Sequence, residues 1–130
     1  MTFADVVFAR LRGDPAITAA VPGGWWPLRL PEGVTLPAGV FQRISAPRTY
    51  THSGPVPLID RRVQLDIYAT GYEAGAAAMG VVAASLSGTV ASWSGCSVRA
   101  LIVDDGEGVD PDDRGLFRQR LDVSLLSSAP

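Results

Sequence analysis

The chain has 130 residues, 47% apolar and 18% charged, with a formal net charge of -2. That length suits one ordinary domain, residues 1–130, able to bury roughly two thirds of the surface its unfolded chain exposes, and the charge balance excludes attraction of nucleic acid by bulk charge. A single cysteine, Cys96, excludes an intrachain disulfide, a four-cysteine zinc site and a CxxC redox pair, and reads as a small core residue.

The opening MTFADVVFARLRGDP lacks a basic leader, and no stretch approaches the ~20 apolar residues of a membrane span, so the chain is expected to be made in a cytoplasm without contact with membrane. Thr2 is a predicted N-cap with Asp5 three residues on. Phe3, Val6, Val7 and Leu11 then share one face of a short helix that Gly13 ends. Asp14 before Pro15 predicts a second cap and one or two further turns through Ile17, stopping at Pro22, Gly23 and Gly24. WWPLRL follows, and Pro27 inside it points to a short edge strand.

After PEGVTLPAG comes VFQRIS, in which Val40, Gln42 and Ile44 share one face and Phe41 and Arg43 the other. A long polar loop, SAPRTYTHSGPVP, leads into VQLDIYA, where Val63, Leu65, Ile67 and Ala69 alternate with Arg62, Gln64, Asp66 and Tyr68. Thr70 to Glu73 reads as a capping box, and Tyr72, Ala76, Met79, Ala83 and Leu86 recur at helical spacing as far as Gly88. The Ala and Gly content of this principal helix weakens it intrinsically but permits close approach to a sheet or another subunit. The last third reads as a hairpin: SVRALIV (97–103), an acidic turn DDGEGVDPDDRG, then LFRQRLDVSLL (116–126) with Phe117, Gln119, Leu121, Val123 and Leu125 on one face. Strands that adjoin with no helix between them favour antiparallel pairing. The expectation is an α+β domain in the order α-β-β-β-α-β-β, an antiparallel sheet of four to five strands under two helices.

Little here points to catalysis. His52, the only histidine, is flanked by Thr49, Thr51 and Ser53, residues too common in loops to signal a triad. The six carboxylates Asp104, Asp105, Glu107, Asp110, Asp112 and Asp113 lack the D-x-[DN]-x-[DN]-G spacing and closing glutamate of a calcium loop, and read as a solvated hairpin tip. GGWW and GEG lack the glycine spacing and lysine of a phosphate loop, and no basic stripe accompanies Trp25 and Trp26. Neither a catalytic residue nor a metal or other cofactor is expected.

The run PLRLPEGVTLPAGVFQRIS, the long polar loop, RRVQLDIYA followed by the helix GYEAGAAAMGVVAASL, and the closing FRQRLDVSLL together resemble the tail completion or tail terminator family of long-tailed phages, also found in gene transfer agents. The resemblance covers most of the chain and lies in the order and spacing of these landmarks. It implies a structural virion protein: a homo-oligomer, a hexameric ring at the head-proximal end of the tail tube, that ends tube polymerisation and docks the head connector. The implied partners are the tail tube protein and a head-closure or connector protein, with DNA passing through the channel without specific binding.

Within such a ring the long loop suits contact with a neighbour. Its prolines Pro47, Pro55 and Pro57 limit the disorder lost on docking, and Arg48, Tyr50 and His52 are of the types enriched at interfaces. The acidic turn is a candidate to face the channel, its alternative place being the outer rim. Two other readings stand beside the terminator: a head-closure or connector protein of the same neck, and a small ligand-binding or hydrolase domain, which would need a deep pocket with converging polar groups.

Overall fold

The computed structural model describes residues 3–45, 50–51, 54–55, 58–88, 90–93, 96–109 and 115–128, at 45, 50–51, 54–55, 58–59, 91, 96 and 128 by backbone alone. In order, the elements are α1 (Phe3–Gly13), α2 (Pro15–Ala20), β1 (Trp25–Pro27), β2 (Ala38–Ser45), β3 (Tyr50–Thr51), β4 (Gly54–Pro55), β5 (Leu58–Ala69), α3 (Tyr72–Leu86), β6 (Val90–Trp93), β7 (Cys96–Val109) and β8 (Phe117–Ser128). Six strands form one sheet in the order β1-β2-β5-β8-β7-β6, and β3 and β4 form a separate pair. The α+β expectation holds, with more elements than the two helices and four to five strands predicted. The short second helix is a full element, and β6 adds a strand where the sequence has only the brief VASW.

The alternation of β5 and β8 builds the core. The two strands are antiparallel, with Val63 opposite Val123 and Leu65 opposite Leu121. These four, with Ile67 and Leu125, are at most 2% exposed. On that face α1 contributes Phe3, Val6, Val7 and Leu11, α2 Ile17, and α3 Ala78, Met79, Val82 and Leu86. Truncating one of these buried aliphatics to alanine typically costs about 2–5 kcal/mol, through lost transfer energy and the cavity left behind. The helix α3 sits one step round from its predicted face: Gly75, Ala78, Met79, Val82 and Leu86 are buried, whereas Tyr72 is half exposed. The expected close approach is present at Gly75, where an added Cβ would lie 3.4 Å from the Cβ of Ala69.

The opposite face carries a smaller apolar cluster, Leu30, Ala38, Val40 and Tyr68, flanked by Val34, Leu36 and Leu116. Its cover comes from residues 28–37, which carry the chain from β1 to β2. That connection corrects the expectation of a wholly antiparallel sheet, because β1 and β2 run parallel. A parallel neighbour needs a crossover, usually a helix; here a ten-residue loop crosses instead, and its apolar side chains bury the face it passes. Gly39 is required by the same arrangement, since a Cβ there would meet the Trp25 ring at 2.3 Å.

The helix ends are tied together at Asp14. Its carboxylate accepts hydrogen bonds from the backbone N–H of Ala16 at 2.9 Å and Ile17 at 3.4 Å, capping α2 as its sequence predicts. It also receives the Arg10 guanidinium at 3.0 Å and the Ser85 hydroxyl near the end of α3. One side chain thereby links the end of α1, the start of α2 and the end of α3. By contrast, the capping box at Thr70 does not form. Strand β5 runs to Ala69, the helix begins at Tyr72, and Gly71 is the cap with no side-chain bond; Thr70 is one residue too early to reach it. The predicted cap Thr2 lies outside the described residues.

The Ser85 hydroxyl, followed by Arg10, holds the Asp14 carboxyl down at about 2 against its usual 3.8. A depressed folded-state value stabilises the fold above the unfolded value and loses that contribution as pH falls through the folded one. Thermal melting followed by circular dichroism should therefore show a loss of stability between about pH 4 and pH 2, and the Asp14→Asn variant should show a shallower decline over that window. An unchanged acid slope in the variant would mean that Asp14 does not carry it.

Candidate functional site

Three surfaces carry the residues singled out in the sequence. The first is the connection from β2 to β5, which has structure of its own: β3 and β4 pair antiparallel, with Tyr50 opposite Pro55 and Thr51 opposite Gly54. Tyr50 is described there by its backbone, and Arg48 and His52 lie outside the described residues.

The second is the acidic segment, and here the predicted turn is corrected. Strand β7 continues through Asp104, Asp105 and Glu107 as far as Val109, while Asp110, Asp112 and Asp113 lie outside the described residues. A bulge between Ile102 and Asp104 shifts the register of β7 against β8. After it, Asp104 is opposite Asp122 on the face away from the helices, and Asp105 and Glu107 are opposite Leu121 and Gln119 on the helix side. The three acids therefore do not act as one patch. The Asp104 carboxylate lies 3.4 Å from Arg120, and Glu107 accepts a hydrogen bond from the Tyr72 hydroxyl at the start of α3. The glycines 106 and 108 serve packing. An added Cβ would fall 2.8 Å from the Arg120 guanidinium at Gly106 and 3.1 Å from that of Arg118 at Gly108, so both make room for arginine side chains laid across the strand.

Those arginines belong to a polar ladder on the helix-free face. Alternate residues of β5, β8 and β7 present Asp60, Arg62 and Gln64; Arg118, Arg120, Asp122 and Ser124; and Arg99, Leu101 and Asp104. Ser124 donates to Asp60 at 2.6 Å, and Gln64 donates to both oxygens of Asp66 at 3.1 and 3.0 Å. Burial beneath this network raises the Asp66 carboxyl, against the lowering effect of Gln64, Arg118 and Arg120. Carboxylates and guanidinium groups alternate across the face, so neither sign dominates it. On the helix side a groove of about 260 Å³ separates α3 from β7. The small residues Ala76, Gly80 and Ala83 line one wall and Asp105 and Glu107 the other, with Gln119 at the floor. The Gln119 side chain is 8% exposed and its Nε2 has no hydrogen-bond partner among the described residues.

The third surface is the pair of sheet edges, which pattern reading did not identify because it treats each strand alone. Among the described residues, β1 covers only Gly39–Phe41 of β2 on one side, leaving 42–45 without an outer strand. On the other, β6 covers only Cys96–Arg99 of β7, and no strand among the described residues lies outside 100–109. Trp26, Leu28 and Ile44 are exposed at the first edge, and Val90, Leu101, Val103 and Val109 at the second. Among the described residues no group of three or more potential ligands could hold a metal ion, and no helix is long and apolar enough to cross a membrane.

Compared with known proteins, the chain matches over residues 5–127 the family described as "Tail completion protein gp17". No curated protein matches it. Among solved structures, it is similar to a chain of "Virion of native gene transfer agent (GTA) particle", with a TM-score of 0.71 at 14% identity, covering 98% of this chain and 96% of that one. At that identity the likeness is one of fold, and it runs from end to end.

The hydrogen bond to Glu107 and its negative charge raise the Tyr72 phenol above its usual value of 10.0. That bond is intact below pH 10 and is lost as pH rises through the raised value. Ultraviolet titration of the Glu107→Ala variant should show one tyrosine ionising at lower pH than in the parent protein, and coincident curves would disprove the contact.

Proposed function

The chain belongs to the tail completion protein gp17 family, a family of structural tail proteins rather than enzymes, and we propose that it works in the virion as a ring closing the head-proximal end of the tail tube. The observation that carries this reading is that the family match spans nearly the whole domain, helices and both sheet edges included. A chain of similar fold in the structure "Virion of native gene transfer agent (GTA) particle" supports a place for such a domain in a virion. In the proposed role the protein acts by geometry. One face of the ring binds the last layer of the tube and covers the surface on which further tube subunits would add, and the other presents a docking surface to the head-closure or connector protein.

The helix-free face is the natural lining of the channel. DNA must pass through a neck, and a basic wall would hold phosphate and retard it. Asp60, Arg62, Arg99, Asp104, Arg120 and Asp122 place both signs side by side on that face. Within this reading Asp104 faces the channel, while Asp105 and Glu107, on the helix side, do not. The 46–57 loop is assigned to contact with a neighbouring subunit or ring, with Arg48, Tyr50 and His52 as its anchors. Its β3–β4 pair supports this, because a loop with its own hydrogen bonds loses less entropy on docking than an open chain.

Loss of the protein should yield tails of uncontrolled length that do not join heads, as counted in electron micrographs of a deletion strain. Uniform tails in that strain would rule out termination, and normal tails beside full unattached heads would assign the protein to the connector instead. In the loop, interface energy concentrated in a few aromatic and arginine anchors predicts that Arg48→Ala with Tyr50→Ala leaves the circular dichroism spectrum unchanged and weakens assembly. Parental assembly by the double variant would remove the loop from the interface.

A further inference from the structure

From the two open edges of the sheet we infer that they are halves of one joint: the β1–β2 edge of one copy adds beside the β6–β7 edge of the next, so that the sheets of neighbouring subunits run together. This rests on the ring reading above and names the surface by which the ring is made.

An open strand presents unpaired N–H and C=O groups and is a ready template for another strand. Here the open length is considerable, since β7 lacks an outer strand from 100 to 109 among the described residues. The two edges are stepped in complementary fashion. Following the register across the sheet, Gly39 lies level with Ile67, Gln119 and Glu107, and Phe41 with Leu65, Leu121 and Asp105. The projecting β1, which pairs with Gly39–Phe41, thus stands level with the recess at Asp105–Glu107 on the far edge. The projecting β6 pairs with Cys96–Arg99, below the level of Leu101. Leu101 in turn lies level with Ser124, Arg62 and Ser45, the end of β2. When a second copy is set alongside in the same orientation, the projecting β1 meets that recess, and the projecting β6 lies beyond the level of Ser45.

Strand direction agrees. Three successive antiparallel pairings separate β2 from β7, so they run in opposite directions, and β1, parallel to β2, also opposes β7. Copies related by rotation about a ring axis keep the same sense, and β1 and the open end of β2 then pair antiparallel with the open stretch of β7.

Side-chain chemistry selects a second copy as the occupant. Seven of the large exposed apolar residues lie at these edges, Trp26, Leu28 and Ile44 on one and Val90, Leu101, Val103 and Val109 on the other. The first edge adds Arg43, exposed beside Ile44 and level with Ile102, two strand positions from the level of the exposed Asp105 on the second edge, within reach of a long arginine side chain. A neighbour placed there also brings its α1, which packs on its own β1, towards the groove where Gln119 Nε2 lacks a partner. Different patches meeting head to tail make a heterologous interface, which forms a closed ring when the rotation closes.

The test uses one charge at each edge, at residues 46% and 45% exposed whose replacement spares the core: Ile44→Glu and Val103→Glu. Light scattering after size exclusion, and cross-linking on tail tubes isolated from a deletion strain, read the assembly. The parent chain should give the closed ring and each variant alone a folded monomer with the parental circular dichroism spectrum. Mixing the variants should give dimers and nothing larger, because each retains one intact edge and the two intact edges face each other once. Rings from either variant would overturn the edge assignment while leaving the ring standing; so would a failure of the mixture to dimerise when both variants are folded. A parent chain that stays monomeric both in solution and on tubes would overturn the ring itself.

Discussion

The register between β5 and β8 is the constraint on which the rest of the domain depends. With Val63 facing Val123 and Leu65 facing Leu121, the apolar members of both strands stack on one side and the polar members on the other. A slip of one residue would turn every side chain of the moved strand to the opposite face. It would bring Asp122 and Arg120 beneath the helices and expose Leu121 and Val123. The cost of burying charge without a partner makes that alternative prohibitive, so this one pairing determines which face receives α1, α2 and α3. Other polar groups on the helix side lie towards the strand ends, and Arg61 has partners of its own there. Arg61 donates to Ser127 at 3.1 Å and sits over the Phe3 ring at 4.2 Å from its centroid.

Three short helices cannot cover a six-stranded sheet completely, and where the cover ends explains the surfaces. At one corner of the opposite face the 28–37 crossover supplies Leu30, Val34 and Leu36, which shields Val40 and Tyr68. Beyond that corner no described element covers the face, and it is correspondingly polar. At the sheet edges neither device is present among the described residues: β1 and β6 are three and four residues long, too short to flank strands of eight and fourteen. Isolated soluble domains usually blunt such edges with charge, proline or a covering loop. Pro27 and the β7 acids supply some of this, yet large apolar side chains remain beside them.

How much of this was legible depended on whether a feature belonged to one element or to several. The α+β class, α1, the Asp14 cap, the edge position of Trp25 and the faces of β5 and β8 follow from period and local hydrogen bonding, which a sequence displays directly. The parallel pairing of β1 with β2 does not, because the residues that make it workable, Leu30, Val34 and Leu36, are scattered through a stretch of turn formers with no period. The buried face of α3 was misjudged by one step for a related reason. So many of its positions are Ala or Gly that apolar spacing hardly distinguishes its sides, and contact with Ala69 and Gln119 decides the matter. The open edges were illegible altogether, since they are defined by which strands fail to pair.

The acidic segment shows how a single irregular residue can reassign a whole set of side chains. Read as alternation from Ile102, which faces the core opposite Val123, an unbulged β7 would turn Asp104 towards the helices and Asp105 and Glu107 outward. The extra residue at Val103 inverts this phase, as a bulge must. Asp104 thereby reaches Arg120, Glu107 reaches Tyr72, and the positions facing Arg118 and Arg120 fall to Gly108 and Gly106, where no side chain obstructs them. Had these acids projected together from a turn, a ring would have gathered them from every copy within about a Debye length, ~8 Å at physiological salt, and repelled its own members. Divided between two faces, with Asp104 and Glu107 partnered within their own subunit, they add little net field to either, which is compatible with both close packing of subunits and the passage of a polyanion.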